Sequence, residues 1–396
     1  MKGALQGIRI LDLSRVLAGP WATQLLGDYG ADVVKIERPG SGDDTRQWGP
    51  PWLGNESAYF LSTNRNKRSV TVDLGSSEGK AVLRELAAEA DVLVENFRVG
   101  TLQRLDLDPG DLMQSNPRLI ICSISAFGQS GSRAQEPGYD AMIQASAGLM
   151  SITGPEQGGP QKVGVAIADI MAGMYAANAV LAALQARERT GEGQRIDVPL
   201  YDSQVAWLAN QNMNYLVGGV VPGRMGTAHP NLVPYQAFAT RDGDLMLAIG
   251  NDRQFADLMA CIGRTELATD PKFASNAARI EHREELVGIV GDRLCQESTA
   301  YWLAELASRS VPAGPINDLA EVLDNEFAAE RELVRSVRNA AGDDVPTVAN
   351  PVDFSATPAV YERAPPLLGE HTGEVLREWL GYSAEAIEAL RNKAAI

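Results

Sequence analysis

The sequence predicts an α/β fold, with a large Rossmann-like domain built on a parallel sheet and a smaller α+β domain. Two features of the 396 residues support this prediction. In the first half, short runs of Val, Ile and Leu alternate with amphipathic stretches, which is typical of parallel strands joined by helices. After about residue 220 the pattern changes to one hairpin followed by mostly helical sequence.

The large domain begins with a strand, a helix and a second strand. The motif "IRILDL" (8–13) predicts the first strand, "GPWATQLLGDYG" the helix, and "ADVVKIE" (31–37) the second strand. Ser76 or Ser77 then opens another helix, because serine is a favoured N-cap. Further strands are predicted at 69–74, 91–97 and 119–128, followed by a helix from Asp169 and a strand and helix in "QRIDVPLYDSQVAWLANQNMNYL".

A second domain follows a passage rich in Gly and Pro, "VGGVVPGRMGTAHPNLVP", which we interpret as a linker or exposed loop. Asp242-Gly243 marks the turn of a hairpin in 235–250, and helical sequence continues to about Leu319. Two short helices end the chain. The predicted division is a large domain at 1–220, a small α+β domain at 221–325, and a segment at 326–396 that returns to the large domain.

The net charge of −16 argues against nucleic acid or an anionic membrane surface as a partner. The cysteines, Cys122, Cys261 and Cys295, are far apart and lack metal-ligand spacing, so we expect neither disulfides nor a metal site. The sparse cysteines fit a reducing, cytoplasmic setting, and we expect a soluble protein because the N-terminal residues lack the apolar core of a signal peptide. The apolar run 170–186 is short for a membrane span and carries Asn178 and Gln185.

A single charged side chain, Asp169, lies in the small-residue run from Val163 to Ala186. Burial of an ionised acid costs several kcal/mol unless its charge is compensated or used. One interpretation is a helix N-cap, which accepts backbone N–H bonds. The other is a nucleophile at the positive end of a helix, where a carboxylate stays ionised. The local sequence leaves both interpretations open.

Basic residues also cluster near predicted strand ends, in "NRNKRS" (64–69), "NFRVGTLQR" (96–104) and at Arg38. Such groups can bind phosphates through charge-assisted hydrogen bonds, but they can equally be solvated surface charges. The first loop, "SRVLAGPWATQ", lies where a dinucleotide fold binds phosphate, yet it lacks the G-x-G-x-x-G pattern, so a nicotinamide or flavin site has little support.

Several long motifs together resemble the class III CoA-transferases, the CaiB/BaiF family, which includes oxalate and dicarboxylate CoA-transferases. The resemblance runs from about Leu5 to the last helix, with the motifs in family order. They are "LDLSRVLAGPWATQLLGDYGADVVKIERPGSGDDTR", "NRNKRSVTVDL", "ADVLVENFRVGTLQRL", "PGYDAMIQASAGLMSITG", "VGVAIADIMAGMYAANAVLAAL" and "APPLLGEHTGEVL".

The resemblance implies an enzyme that moves CoA from an acyl-CoA to a carboxylic acid, with Asp169 as nucleophile and an interlocked-ring homodimer as the assembly. It places Tyr139 and Asp140 near the reacting centre, and Val16, Leu17 and Ala18 at the thioester end. The residues that it places around CoA are Arg38, Asn66, Lys67, Arg68, Asn96, Phe97, Arg98 and Arg104.

Two departures from the oxalate enzymes favour a larger acceptor, such as succinate, glutarate or mesaconate. Leu17 stands where those enzymes have glutamine, and "GRMGTAHPNLVPYQAF" replaces their glycine-rich flap. A related racemase is a rival interpretation, but those enzymes place a His before the Asp of the "GYD" motif, where this chain has Tyr139, and a Glu near Asn251-Asp252. A non-catalytic CoA-binding protein is a third possibility.

Overall fold

A computed structural model describes residues 3–396, so positions 1 and 2 of the predicted large domain lie outside the described residues. The chain forms two compact units. The larger unit comprises the chain up to Leu149, Val163–Gly219 and Glu326–Ile396, and the smaller unit comprises Met150–Lys162 and Val220–Asn325.

The segment 150–162, which the sequence places in the large domain, belongs to the smaller unit. Hydrogen bonds explain this difference. The Gly226 N–H donates to the Gly154 carbonyl at 2.9 Å, and the Arg224 guanidinium donates to the Gly158 carbonyl at 2.7 Å. Residues 150–162 therefore fold against the start of the segment that follows residue 219.

A six-stranded sheet in which all pairings are parallel organises the larger unit, in the order β5-β2-β1-β6-β7-β8. Strand order reverses beside β1, so the chain winds outward in both directions from the centre of the sheet. The strands of this unit are β1 (Arg9–Asp12), β2 (Asp32–Glu37), β3 (Trp52–Leu53), β4 (Glu56–Ser57), β5 (Lys67–Thr71), β6 (Val92–Glu95), β7 (Ile120–Ser125), β8 (Arg195–Pro199), and the later pair β12 (Val334–Arg338) and β13 (Asp344–Val348).

Helices cover both faces of this sheet. Those before residue 220 are α1 (Ala18–Asp28), α2 (Ala58–Leu61), α3 (Ser77–Glu89), α4 (Thr101–Arg104), α5 (Pro109–Ser115), α6 (Asp140–Ser146), α7 (Leu149–Ile152, which continues into the smaller unit), α8 (Ile167–Thr190), α9 (Leu200–Trp207) and α10 (Asn210–Gly218), with a 3₁₀ turn at Asp44–Gln47. Those after residue 325 are α16 (Glu326–Glu330), α17 (Thr372–Leu380) and α18 (Ala384–Asn392).

Alternate side chains of each strand enter different cores. Ile10 and Val33 face α1 and α8, whereas Leu11 and Val34 face α3 and α17, and all four are buried. This is the period-two geometry of a strand with both faces covered. The core on the face covered by α1 and α8 contains the small residues of α8, which let α8 lie close to α1.

The smaller unit has its own apolar core around a three-stranded sheet, β11-β10-β9. The hairpin expected at Asp242-Gly243 joins β9 (Tyr235–Ala239) to β10 (Asp244–Ala248), which pair antiparallel. The other elements are β11 (Ala313–Pro315), α11 (Asp252–Cys261), α12 (Asn276–Glu281), α13 (Arg283–Leu294), α14 (Thr299–Ser308) and α15 (Leu319–Leu323), with a 3₁₀ turn at Thr265–Ala268.

Within residues 3–396 the structure has one helix, α8, that is long and apolar enough to cross a membrane by length and composition. A core helix passes the same test. α8 carries buried Ala172, Gly173, Ala176 and Ala177 against the sheet side of the larger unit, so its apolar composition serves packing there.

Candidate active site

A cavity of about 390 Å³ opens beyond the carboxyl ends of β1, β6 and β7. This is the edge at which parallel sheets bind their ligands. Loops after these strands and the first turns of α1 and α8 form its walls. The predicted site residues that line it are Val16, Leu17, Ala18, Asn96, Phe97, Arg98, Tyr139 and Asp169, and Arg15 and Asp44 line it too.

Asp169 is the third residue of α8, and its prediction as the N-cap is wrong. Ala166 occupies the cap position and its side chain makes no capping bond. The Asp140 carboxylate instead accepts a hydrogen bond from the Ala168 N–H at 2.8 Å and another from the Gln144 amide at 2.7 Å. Asp140 therefore supplies the cap, and the Asp169 carboxylate accepts no hydrogen bond from any residue within 3–396.

Burial raises the pKa of Asp169 from 3.8 to about 7, and the negative charge of Asp140 adds to the effect. The expectation that this acid simply stays ionised therefore needs correction, because its pKa lies well above the ordinary range of a carboxyl group. An acid that lacks hydrogen-bonding partners and has a strongly raised pKa, within a cavity, is a common sign of a reactive group. Its carboxylate form is poorly solvated and correspondingly nucleophilic.

The loop from Ser14 to Leu17 brings free backbone N–H groups to the same cavity. Val16 lies in the left-handed region, with φ of 71°, which is unusual and strained for a β-branched residue. Leu17 is the N-cap of α1 and makes no side-chain capping bond. In residues 3–396 no group accepts a hydrogen bond from the N–H of Leu17 or Ala18, so the positive end of α1 can interact with an anion there.

Close packing of α1 on α8 brings these amides near Asp169. A Cβ atom at Gly173, one turn after Asp169, would lie 2.6 Å from the carbonyl oxygen of Ala18 and 3.2 Å from Trp21. No side chain fits in that space, so glycine is required at this crossing. The small residues of α8 thus determine how closely the first turn of α1 approaches the acid.

A second cavity, of about 270 Å³, lies beside the first, and Arg15 and Phe97 line both. Its walls are mostly apolar and include Leu74 and Leu105, with Arg38 among the lining residues. The Arg15 guanidinium lies 5.5 Å from the Phe97 ring centre and pairs loosely with Asp44 at 3.3 Å. The two cavities together form a groove with a cationic group at their junction.

Three of the predicted CoA-binding residues lie in the interior, away from both cavities. Asn66 donates to Asp28 and to the Val360 carbonyl. Arg68 pairs with Asp32, Glu374 and Glu378, and its side chain is 3% exposed. These contacts occupy the polar groups that a phosphate would need.

Lys67 is wholly buried and binds Asp12 at 3.1 Å, the Pro20 carbonyl at 3.0 Å and Asn64 at 3.0 Å. Burial lowers the pKa of Lys67 to about 8, with the nearby Lys35 ammonium acting in the same direction. We therefore correct the assignment of Asn66, Lys67 and Arg68, whose polar atoms stabilise the interior between β1, β5 and the C-terminal segment.

The remaining predicted residues lie in or near the groove. The Asn96 amide clamps the loop, accepting from the Arg15 N–H at 2.9 Å and donating to the Arg15 carbonyl at 2.7 Å. Arg38 is exposed and pairs with Asp44. Tyr139 is 68% exposed on the cavity wall. Arg104 lines neither cavity, and its guanidinium donates to Thr101 of the same short helix.

Sequence reasoning missed Tyr59, on α2. Burial raises the pKa of the Tyr59 hydroxyl to about 12, and the charges of Asp169, Asp140 and Asp43 contribute. Tyr59 thus shares the electrostatic environment of Asp169. The motif around Tyr59, "ESAYF", gives no local sign that this residue lies near Asp169. Arg15 and Asp44, by contrast, lie within the motifs quoted above and could have been recognised as charges beside a strand end.

No cluster of three or more His, Cys, Asp or Glu side chains suited to a metal ion occurs within residues 3–396.

Comparison with known proteins identifies relatives over almost the whole chain. Residues 5–372 match the sequence model of CoA-transferase family III. A succinate–glutarate CoA-transferase of Agrobacterium fabrum is 46% identical over 95% of this chain and 96% of its own length. A succinyl-CoA:glutarate CoA-transferase of Mus musculus is 45% identical over 98% of this chain and 88% of its own.

A solved structure has the same architecture. The crystal structure of a CaiB/BaiF family protein from Brucella suis superposes with a TM-score of 0.84 at 44% identity. It covers 96% of this chain and 100% of the Brucella chain.

Proposed function

The chain belongs to CoA-transferase family III, and on this premise we propose that it transfers CoA from succinyl-CoA to a dicarboxylic acid through covalent intermediates on Asp169. It is an enzyme of the CoA-transferase class, as its relatives at 43–46% identity are. The observation that carries the covalent proposal is the state of Asp169. Its carboxyl group is partly buried, receives no hydrogen bond from residues 3–396, and lies in a groove lined by free amides.

In the first proposed step, an Asp169 oxygen attacks the thioester carbonyl of succinyl-CoA. The C–S bond breaks, giving a mixed anhydride and the CoA thiolate. The thiolate then attacks the aspartyl carbonyl, which releases succinate and leaves an aspartyl-CoA thioester. The acceptor carboxylate repeats the two steps in reverse, so the CoA ester of the acceptor leaves and the Asp169 carboxylate is restored.

Each attack places negative charge on a carbonyl oxygen. The free N–H groups of Leu17 and Ala18 are suitable donors for that oxygen, because they are backbone groups held at the positive end of α1. A preformed pair of donors needs no reorganisation as the charge develops. A bound acyl-CoA that fills the cavity would shield the anhydride from hydrolysis.

We propose one direction for the CoA moiety along the groove. We place its thioester in the cavity with Asp169 and its adenine in the apolar second cavity, against Leu74 and Leu105. Arg15, at the junction, and Arg38 are then positioned for the phosphates. Asn96 and Phe97 support the pantetheine arm, Arg98 lies on the cavity wall, and Arg104 stays a proposed phosphate contact at the rim.

Replacing Arg15 by Ala is expected to raise the KM for succinyl-CoA at least about tenfold, since a charge-assisted hydrogen bond to phosphate contributes roughly 1.5–3 kcal/mol. The dependence of KM on salt should weaken as well, because one cationic contact is lost. Steady-state kinetics at two ionic strengths measures both effects. Arg118→Ala is a control, because Arg118 is an exposed arginine that pairs with Glu188 and lines neither cavity. An unchanged KM in Arg15→Ala would remove this residue from the phosphate site.

The pH profile follows from the raised pKa of Asp169. The free enzyme must present a carboxylate, so kcat/KM for succinyl-CoA should rise as pH increases through about 7 and level off above it. In Asp140→Asn, loss of the neighbouring charge should move the midpoint to lower pH. Initial rates between pH 5.5 and 8.5 test this, and a profile without an inflection near 7 would contradict the assignment.

The acceptor is proposed to be glutarate or a similar dicarboxylate. Relatives named for glutarate and mesaconate align over nearly the whole chain, and Leu17 removes the polar side chain of the oxalate enzymes from the cavity wall. Incubating the protein with succinyl-CoA and a panel of acids, and identifying the CoA esters formed, tests the function. Formation of a new CoA ester supports it, and none with any acid in the panel would refute it.

A racemase has no support in the geometry. Asp252, near the position where racemases carry their second acid–base group, pairs with Arg279 at 2.7 Å, and Asn251 caps α11. Both side chains therefore have structural partners within the smaller unit.

We propose that the active assembly is the interlocked homodimer of this family, in the cytoplasm, without nucleic acid or membrane as partner. Large apolar side chains exposed on α8, on α10 and just after α10 support a protein partner. They include Met174, Tyr175, Leu216, Val217 and Val221.

A further inference from the structure

A buried ion pair lies directly behind the loop that forms the cavity wall. The Lys35 ammonium contacts the Asp43 carboxylate at 2.9 Å, and both side chains are wholly buried. Lys35 lies within β2, where it pairs in register with Asp12, the last residue of β1. Asp43 comes from the loop after β2, immediately before the 3₁₀ turn.

Both partners also bind the backbone of the cavity loop. The Lys35 ammonium donates to the Ser14 carbonyl at 2.8 Å. The Val16 N–H donates to both carboxylate oxygens of Asp43, each at 3.3 Å. Two charged groups thus bind the loop on either side of Arg15, while Asn96 binds Arg15 itself.

The loop needs such contacts because its conformation is unfavourable by itself. A β-branched residue at φ of 71° costs about 1–3 kcal/mol, and it persists only where surrounding contacts hold it. This conformation of Val16 sets the direction of the chain entering α1. The next two residues are Leu17 and Ala18, whose free amides lie on the cavity wall.

Burial of a charged pair is a costly way to hold a loop. Such pairs are often no more stabilising than apolar side chains of similar volume, so their presence calls for another reason. Here the reason is that a charged carboxylate accepts a directed hydrogen bond from the loop. The charge on Asp43 strengthens its bond to the Val16 N–H, and an apolar side chain has no acceptor for that group.

We infer that Lys35 and Asp43 are positioning residues, whose ion pair holds Val16 in the left-handed conformation and thereby directs the amides of Leu17 and Ala18 towards the acyl group on Asp169. This inference rests on the proposed function. Both residues border the second cavity, but their side chains are wholly buried and paired within the protein, so their effect should appear in kcat rather than in the KM for succinyl-CoA.

Asp43→Asn and Val16→Pro test the hydrogen bond between these two residues, one at its acceptor and the other at its donor. The first weakens the bond to the Val16 N–H, and the second removes that N–H and fixes φ near −65°. Each should lower kcat about a hundredfold with little change in KM, which is the size of effect expected for misplaced oxyanion donors.

Recovery of kcat by a second substitution distinguishes a positioning role from a role in stability alone. Glycine adopts positive φ without strain, so Asp43→Asn/Val16→Gly should recover at least about tenfold in kcat over Asp43→Asn. If the pair served folding alone, the double variant would be no more active than Asp43→Asn. Arg187→Met is the control, because the buried Arg187, which pairs with the partly exposed Asp91, lies at the far end of α8. It should lower the melting temperature and leave kcat unchanged.

The outcomes distinguish this inference from the proposed function. If the wild-type protein transfers CoA, either an unchanged kcat in Asp43→Asn or no recovery of kcat in the double variant would overturn the positioning role alone. Wild-type protein that forms no new CoA ester with any acid would refute the proposed function instead. If Asp43→Asn does not fold, the kcat of Val16→Pro decides, and an unchanged value overturns the inference.

Discussion

Asp169→Asn is expected to lower kcat for CoA exchange at least about a thousandfold, because an amide cannot form the anhydride or the thioester. Binding of succinyl-CoA should persist, since the groove is otherwise intact. The measurement is the rate of new CoA ester formation, combined with CoA affinity by calorimetry. Loss of both activity and binding would indicate a damaged groove and not a missing nucleophile.

The same substitution should stabilise the folded protein above neutral pH. The pKa of Asp169 is raised by folding, so stability is lost as pH rises from the ordinary value of 3.8 through about 7. The shift corresponds to at most about 4 kcal/mol. Asn carries no charge, so Asp169→Asn should melt at a higher temperature than wild type at pH 8 and at a similar temperature at pH 4.

Asp202→Asn is the matched control for both measurements. Asp202 is the third residue of α9, as Asp169 is of α8, but its side chain is exposed. Its replacement should change neither exchange nor the melting temperature at pH 8 appreciably. Near-normal turnover in Asp169→Asn would exclude the covalent mechanism, whatever its stability.

Gly173→Ala is expected to have the next largest effect. Its Cβ would meet the Ala18 carbonyl at 2.6 Å, so α1 and α8 must separate at the turn that carries the free amides. A displacement of about 1 Å in groups that stabilise the transition state can cost about a hundredfold in kcat. Overpacking should also cost about 1–3 kcal/mol of stability. Steady-state kinetics and thermal melting measure the two effects.

Gly288→Ala is the control for this prediction. Gly288 lies inside α13, and a Cβ there would meet no atom within 4 Å. Alanine in an open helical position stabilises by up to about 1 kcal/mol, so this variant should melt slightly higher and keep full activity. Wild-type kcat in Gly173→Ala would show that the α1 amides need not lie so near the acid.

Much of the fold was predictable because its signals are local. Apolar runs such as 31–37 identified β2, and Ser76 marked the start of α3 as its N-cap. The membership of 150–162 was not predictable, because it depends on hydrogen bonds to residues more than sixty positions later. No local pattern encodes such contacts.

The candidate site likewise contains residues that could be predicted from the sequence and residues that could not. The resemblance pointed to Asp169, Val16, Leu17 and Asn96, which the fold brings to one cavity. It also pointed to Lys67, a cation beside a strand end, and this assignment was wrong. Sequence cannot show whether such a cation faces solvent or a buried carboxylate. The capping of α8 by Asp140 was missed for a similar reason, since residues 28 positions apart supply the bond.

Chemical trapping tests the central claim, a covalent acyl intermediate on Asp169, most directly. Protein incubated with succinyl-CoA and treated with hydroxylamine is digested and analysed by mass spectrometry. We expect a hydroxamate on Asp169, dependent on succinyl-CoA and absent from Asp169→Asn. Full turnover with an unmodified Asp169, or a hydroxamate on another residue, would contradict the account.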